Sequence, residues 1–308
     1  MTSHRPLALG VALLATVLVA GCSFRRLAIN KVADALTASG STFTSDNDPE
    51  LVRDALPFSL KMMEGLLAES PDHTGLLFTL GSGFTQYGYA FVQQEAERLE
   101  DTDLDRAREL QQRARNLYLR GRDYCLRGLE TRHAGFTNAL AARPPQAATL
   151  ATRDDVPFLY WAAAAWAAAI SQAKDDPALV GDLPKVEALI FRALELDESW
   201  NRGAIHAFLV TFEMSRTTGE GDPSERATRH FERARELAAG KSAGPFVAQA
   251  EAVCVPREDR AQFESLLGEA LAVPPDADPA SRLENLIHQR RARWLLGRID
   301  KLFLPPAQ

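Results

Sequence analysis

Aspartate and proline mark the points at which this chain begins its helices. They occur together at Asp48-Pro49, Asp182-Leu183-Pro184, Asp222-Pro223 and Asp278-Pro279. Because aspartate caps helix N-termini and proline is favoured at the first helical position, these pairs predict helix starts. Alanine, leucine, arginine and glutamate dominate the stretches between them, and no long stretch alternates apolar and polar residues as a half-buried strand does. The sequence therefore predicts an all-α fold.

The helix boundaries follow from the same signals. The predicted helices cover residues 27–37, 49–69, 74–99, 103–132, 155–173, 184–196, 201–216, 223–239, 244–253, 258–272 and 279–303. Pro57 is expected to kink the second helix. Residues 133–153 should be the least regular part, because Pro144-Pro145 interrupts any helix there, and residues 174–183 should form a polar loop.

Small residues at fixed spacing indicate how the helices pack. Leu80-Gly81 followed by Phe84 resembles the first helix of a 34-residue tetratricopeptide (TPR) unit. The second-helix pattern recurs at Ala114, Tyr118 and Gly121, at Ala227, Phe231 and Ala234, at Ala193 to Asp197, and at Ala270 with Pro275. Each match is weak alone, but together they favour a TPR-like α-solenoid of antiparallel helix hairpins over an unrelated bundle. Aligned on the repeat, Phe78, Ser82, Thr85 and Gln86 are expected on the concave face, where such proteins bind partners.

The N-terminal sequence is typical of a lipoprotein signal peptide. Arg5 precedes an apolar run from Leu7 to Ala20, which is too short to span a membrane, and Val19-Ala20-Gly21-Cys22 matches a bacterial lipobox. We expect residues 1–21 to be removed, Cys22 to be lipidated, residues 22–26 to form a tether, and residues 27–308 to form one helical domain. The alternative is an ordinary secretory signal in which Cys22 is incidental. Ser23 favours the outer over the inner membrane, on the periplasmic side.

The net charge of the chain argues against nucleic-acid binding, and the sequence context of its cysteines argues against a disulfide. Removing residues 1–21 deletes one basic residue and changes the net charge from −6 to −7, with no basic stripe to hold nucleic acid. Cys125 and Cys254 lie in apolar helical contexts, so buried free thiols are favoured over a disulfide.

Motifs for catalysis or cofactor binding are missing from the sequence. Phosphate-binding glycine loops, zinc-protease signatures and Cys-x-x-Cys pairs do not occur. Ser82 between two glycines resembles a nucleophile turn, but no strand precedes it. His206 and Glu213 share a helix face at a spacing that favours a satisfied pair over a metal site. We therefore expect no enzyme activity, no cofactor and no metal.

One helix is rich in both aromatic residues and alanine. It includes Tyr160, Trp161 and Trp166 among two alanine runs. Alanine faces let helices approach closely, and the aromatic side chains offer wide surfaces with one polar atom each. They either line an apolar cleft for a ligand or partner, or fill the solenoid core.

Several stretches are longer and rarer than generic TPR positions: Asp48 to Pro57, Leu66 to Pro71, Tyr87 to Phe91, Tyr160-Trp161, Lys174 to Pro177, Asn285 to Ile287 and Arg293 to Leu296. Together with the lipobox, they resemble the TatT family, the T component associated with TRAP transporters. The resemblance implies a periplasmic, lipid-anchored TPR-like homotrimer. It also implies a TRAP-type periplasmic substrate-binding protein as the partner, and a small, hydrophobic organic ligand such as an organic acid. Glu198 and residues 133–153 depart from the strict repeat pattern.

Two function classes remain open at this point. The first is a membrane-anchored scaffold of a TRAP-type transport system that captures the substrate-binding protein. The second is a TPR-like adaptor lipoprotein in envelope assembly, which would be a monomer associated with an outer-membrane barrel.

Overall fold

The computed structural model of the chain describes residues 26–38, 41–216 and 218–304. Within these ranges the chain consists of helices joined by turns, and it contains no β-strand. The all-α prediction is confirmed. Cys22 and the signal segment lie outside the described residues. None of the described helices is both long enough and apolar enough to cross a bilayer.

The helices follow the predicted order. The α-helices of the described ranges are α1 (residues 26–38), α2 (Ser41–Thr44), α3 (Pro49–Glu69), α4 (Thr74–Tyr87), α5 (Gln94–Leu99), α6 (Leu104–Arg132), α7 (Phe136–Ala142), α8 (Pro144–Ala148), α9 (Val156–Ser171), α10 (Pro177–Val180), α11 (Leu183–Leu196), α12 (Trp200–Ser215), α13 (Pro223–Ala238), α14 (Gly244–Gln249), α15 (Arg260–Ala272), α16 (Arg282–Leu296) and α17 (Ile299–Leu302). Two π-helical segments, Gly88–Gln93 and Ala250–Cys254, continue α4 into α5 and extend α14.

Capping chemistry explains most helix starts. The Asp48 side chain accepts hydrogen bonds from two backbone N–H groups of α3, and Asp222 does the same for α13. Helix α3 continues without interruption through Pro57. The irregular stretch before α9 contains two short helices, and Pro144 begins the second of them, where a missing N–H costs nothing.

The helices pack as successive hairpins. Helices α4 and α6, α9 and α11, α12 and α13, and α14 and α15 form antiparallel pairs in contact. Two hydrophobic cores result, and they meet at α12, which contributes Leu209 to the first and Val210 to the second. This arrangement confirms the TPR-like α-solenoid predicted from the spacing of small residues.

Glycine residues allow the two helices of the first hairpin to pack closely together. A Cβ at Gly81 of α4 would collide with the Cys125 sulfur on α6, and a Cβ at Gly121 would lie 2.5 Å from Thr85 Oγ1. Both backbones therefore approach as near as they do only because neither position carries a side chain. The predicted role of Gly81 at a helix contact is confirmed.

The first helices of the hairpins touch one another in sequence and return to their start. Helix α4 contacts α9, α9 contacts α12, α12 contacts α14, and α14 contacts α16. The last helix, α16, also contacts α2 and α3. Side chains of α16 then reach α5, where Arg291 pairs with Glu97. We call α4, α9, α12, α14 and α16 the inner helices, and the contacts of α16 with α2, α3 and α5 close their series into a ring.

Candidate functional site

Four aromatic side chains from two inner helices gather on one side of the ring. Tyr160 of α9 lies 5.0 Å from Trp161, 4.7 Å from Trp200 and 6.3 Å from Phe208, measured between ring centroids. All four side chains are half-buried, and they pack against the first hydrophobic core. We call Tyr160, Trp161, Trp200 and Phe208 the aromatic cluster. It offers a wide apolar surface.

Local backbone geometry positions this cluster. Ala162, Ala163 and Ala165 of α9 are buried, and their small side chains let neighbouring helices pack closely against α9. Trp200 precedes a left-handed turn in which Asn201, Arg202 and Gly203 have φ of 44°, 57° and 83°. A left-handed conformation is unfavourable for Arg202, whereas asparagine tolerates it and glycine adopts it freely.

Arg202 holds this turn in place. Its guanidinium donates to Asp278 and to the Ser281 hydroxyl, both just before α16. The strained turn after Trp200 is thus tied to the start of the helix that closes the ring. Backbone strain of this kind persists only where surrounding contacts impose it.

A polar seam closes the ring beside the aromatic cluster. Arg291 of α16 donates to both Glu251 oxygens, with its Nε 3.2 Å from each, and also pairs with Glu97. The rings of Tyr89 and His288 lie 6.2 Å apart across the same junction. We call Tyr89, Glu97, Glu251, His288 and Arg291 the polar seam. Both π-helical segments contribute to it, since Tyr89 belongs to one and Glu251 to the other.

Burial changes the acidity of the seam and cluster groups. Burial, with a further contribution from the Glu251 charge, raises the pKa of Tyr89. Burial also raises the pKa of Tyr160, followed by the charge of Glu284 on α16. The pKa of His288 is lowered, mainly by burial, so its imidazole is neutral near pH 7. Glu284 therefore lies close enough to the aromatic cluster to act on it.

The residues predicted for the concave face divide into two groups. Phe78 is half-buried against Phe158 of α9, with their ring centroids 5.8 Å apart, and Gln86 is exposed. Ser82 and Thr85 are buried, and their hydroxyls donate to the Phe78 and Gly81 carbonyls of the preceding turn. Thr85 contacts the Gly121 backbone of α6, so it faces the partner helix of its own hairpin and cannot reach a ligand.

Trp166 lies in the core and away from the aromatic cluster. Its side chain is buried between α6 and α11, with the Arg122 guanidinium 4.7 Å and the Lys185 ammonium 5.4 Å from its ring centre. Of the three aromatic residues predicted on α9, the structure brings together Tyr160 and Trp161 and separates Trp166. The core alternative therefore holds for Trp166, while Tyr160 and Trp161 are half-buried against the core.

The side chains that were considered for metal binding or redox chemistry are paired with other residues or buried as free thiols. Among the described residues no group of three or more His, Cys, Asp or Glu side chains is arranged to hold a metal ion. His206 contacts His230 and Glu198, while Glu213 pairs with Arg226 and Arg216. Cys125 and Cys254 are buried free thiols, as predicted, and burial raises the pKa of Cys254 to about 11.

Sequence reasoning missed half of the aromatic cluster and nearly all of the seam. Trp200 and Phe208 lie on a different helix from Tyr160, so no local spacing connects them. The helical period of α12 alone could have placed Phe208 on one face with Ala204 and Thr211. Glu251 and Arg291 carry no sequence signal, because their pairing depends on the ring closing.

Comparison with known proteins identifies the family. The family model described as "TRAP transporter T-component" matches residues 45–303. The chain belongs to this family. It is also similar to an uncharacterized protein of Treponema pallidum (strain Nichols), with 31% identity over 306 residues, covering 94% of this chain and 95% of that protein. The predicted TatT membership is thereby confirmed, and with it a role in a TRAP transport system. The matched range includes every residue of the aromatic cluster and the polar seam.

Proposed function

We propose that this T component is a lipid-anchored periplasmic scaffold that binds the substrate-binding protein of a TRAP system. Family membership carries the proposal, since it already assigns the chain to such a system. Within that system the T component is the docking partner and the substrate-binding protein is the carrier. The proposal assigns no catalytic step to the chain.

The inner side of the ring is proposed as the place where a small organic ligand is held. Three observations support this assignment. The aromatic cluster offers apolar surface, the polar seam supplies a few hydrogen-bonding groups beside it, and both are half-buried within one closed ring. Small-molecule sites usually combine a largely apolar lining with a few placed polar groups. A ligand released by the substrate-binding protein would be shielded from water here.

We propose further that the protein is anchored by lipid at Cys22 and that it assembles as a homotrimer. Confining one partner to a membrane surface, with the outer membrane favoured, raises its local concentration, so a weak and reversible contact suffices for delivery. Three copies would multiply the docking sites. Sedimentation of the chain with a TRAP-type substrate-binding protein from the same organism tests the proposal. A monomer that never binds that protein would favour the envelope-assembly adaptor instead.

A further inference from the structure

The first described helix, α1, has an outward face that is apolar and basic. Leu27, Lys31 and Ala35 follow one another at intervals of four residues, so they share one side of the helix, and all three are exposed. Leu27 is 57% exposed, and Val32 beside this row is 51% exposed. Lys31 pairs with no carboxylate in the part of the chain that the structure describes. Exposed apolar side chains next to a cation are typical of a helix face that contacts a membrane surface.

The opposite face of α1 attaches the helix to the rest of the protein. Ala33 is fully buried in the first hydrophobic core, and Leu36 packs against that core. The carboxylate of Asp34, the one acidic residue of α1, lies 3.2 Å from His73 Nε2 just before α4. Helix α1 therefore has a fixed orientation relative to α4, and its outward face cannot turn into the core.

The short stretch of chain before α1 limits what this outward face can meet. Cys22, the residue proposed to carry the lipid, precedes Arg26 by four positions. Four residues span at most about 14 Å when fully extended, so the start of α1 stays within that distance of the acylated cysteine. The headgroup region of a bilayer is itself about 5–8 Å deep. The bilayer is thus the nearest large surface available to Leu27 and Val32.

The charge of α1 favours a lipid surface as well. Arg26 and Lys31 are its basic residues, and both are exposed. Arg26 lies 3.8 Å from Asp72, but the two side chains are 57% and 71% exposed, so the guanidinium keeps N–H groups free for another partner. Basic side chains next to a bilayer are attracted by anionic lipids. Because the anchor confines α1 close to the membrane, a weak apolar and ionic contact is sufficient to hold it there.

We propose that α1 docks on an anionic lipid surface, with Leu27 and Val32 inserted among the headgroups and Arg26 and Lys31 on the lipid phosphates. Docking places the α3–α4 turn, which contains Asp72, beside the bilayer. The helical domain then has one orientation on the membrane instead of rotating freely about its tether, and it presents the same face to every arriving substrate-binding protein. This inference rests on the lipid anchor proposed at Cys22.

Fluorescence quenching from within the bilayer tests the docking. Lipidated protein with Val32→Cys is labelled with a nitrobenzoxadiazole maleimide and reconstituted in vesicles of phosphatidylethanolamine and phosphatidylglycerol. The label reacts at one site, because Cys125 and Cys254 are buried and the Cys22 thiol is consumed by the lipid. The control label is introduced by Glu232→Cys, at a half-exposed position on α13. An interfacial helix buries its apolar face by about 5–10 Å, so 5-doxyl-phosphatidylcholine should quench the label on α1 at least about threefold more strongly than the control label. Equal quenching at the two positions would overturn the proposal.

Two leucine variants and a change of lipid test the contacts themselves. Leu27→Asp should reduce the quenching on α1 to the level of the control label. Leu150→Asp changes another exposed leucine, between α8 and α9, and should leave the quenching unchanged. Replacing phosphatidylglycerol by phosphatidylcholine should weaken it, because Arg26 and Lys31 lose their anionic partners. Quenching that survives Leu27→Asp, or that is equal in both kinds of vesicle, would contradict the proposed contacts.

Other outcomes are distinguishable in the same samples. A second copy of the chain covering α1 would shift the emission of the label to the blue without quenching by the doxyl lipid, and it would overturn the docking. Mass determination of the N-terminal peptide separates the remaining failures. A lipidated Cys22 without quenching would remove the docking alone, whereas an unmodified Cys22 would remove the anchor and the docking that rests on it.

Discussion

Arg291 and Glu97 lie 194 positions apart in the sequence, and their side chains form the ion pair that joins the last long helix to the first hairpin. Arg291 also binds Glu251, so one guanidinium connects α5, α14 and α16. The rest of this junction is polar as well, with Arg298 and Lys301 paired to Asp101 and Arg290 paired to Glu50. Charged side chains thus make several of the contacts that close the ring at this junction.

Replacing Arg291 should destabilise the ring strongly. Arg291→Met would leave Glu97 and Glu251 without their shared cation in a largely buried position, where removing one partner of an ion pair costs about 3 kcal/mol or more. Urea unfolding followed by circular dichroism measures the loss. The matched control is Lys301→Met, because Lys301 is 60% exposed and its pair with Asp101 is screened by water, so its midpoint should not change. Equal unfolding midpoints for the two variants would mean that the ion pairs of Arg291 do not stabilise the closed ring.

The crossing of α4 and α6 should not tolerate a side chain at Gly81. Gly81→Leu forces a large group against the Cys125 sulfur and the Gly121 carbonyl oxygen, which should lower the free energy of unfolding by about 3 kcal/mol. Gly65→Ala on α3 is the control, since a Cβ there meets nothing within 4 Å. That change should stabilise the protein by up to about 1 kcal/mol by favouring the helix. A neutral Gly81→Leu would show that the repeat register is wrong.

The two histidines between α12 and α13 should make stability depend on pH. His206 Nδ1 and His230 Nδ1 lie 2.8 Å apart, so one of these nitrogens donates a hydrogen bond and the other accepts it. The two Nδ1 atoms therefore cannot both carry a proton. Burial, followed by the charge of His206, lowers the pKa of His230 from 6.5 to about 4. Glu198, Glu213, Arg216, Arg229 and Arg233 surround the pair.

The sign of the pH effect follows from this lowered pKa. Between pH 6.5 and 4 the unfolded chain binds a proton that the folded chain does not, so stability falls as the pH falls. His230 alone should reduce the free energy of unfolding by about 2 kcal/mol between pH 7.5 and 5. Urea unfolding at both values measures the slope, and His230→Gln should flatten it. An unchanged slope in the variant would contradict the assignment to this pair.

The sequence predicted the helices well because their start signals are local. Asp48 and Asp222 cap α3 and α13 as expected, and the small residues at Gly81 and Gly121 revealed the hairpin crossing. Local signals also placed Tyr160 and Trp161 on a helix that could line a cleft. Repeat alignment was less accurate on α4, where it put Thr85 on the concave face although its side chain packs toward α6.

The remaining features depend on contacts that no local pattern encodes. The left-handed turn at Asn201 and Arg202 occupies the first residues of the helix predicted over 201–216, and it persists because Arg202 is held by Asp278 and Ser281. The π-helical segment that includes Tyr89 likewise has no sequence signature. Both features involve residues that contact distant parts of the sequence, so no local sequence pattern predicts them.

Lipid attachment should depend on Cys22 alone. Cys22→Ala removes the thiol that would be alkylated, and we expect a soluble protein or one that retains its signal segment. Fractionation with a carbonate wash, followed by mass determination of the N-terminal peptide, measures the outcome. Cys254→Ala, at a buried thiol with no anchoring role, is the control and should remain in the membrane fraction. A Cys22→Ala protein that loses its signal yet stays in the washed membrane would contradict the lipoprotein assignment.

The scaffold role is tested most directly by sedimentation velocity. The chain from residue 26 onward is measured alone and with a TRAP-type substrate-binding protein from the same organism. We predict a trimer by itself and a faster species that includes the substrate-binding protein in the mixture. An unrelated periplasmic binding protein of similar mass, which should sediment separately, is the control. A monomer whose sedimentation coefficient is unchanged by the substrate-binding protein at concentrations up to about 100 μM, near a binding free energy of −5.5 kcal/mol, would contradict the account.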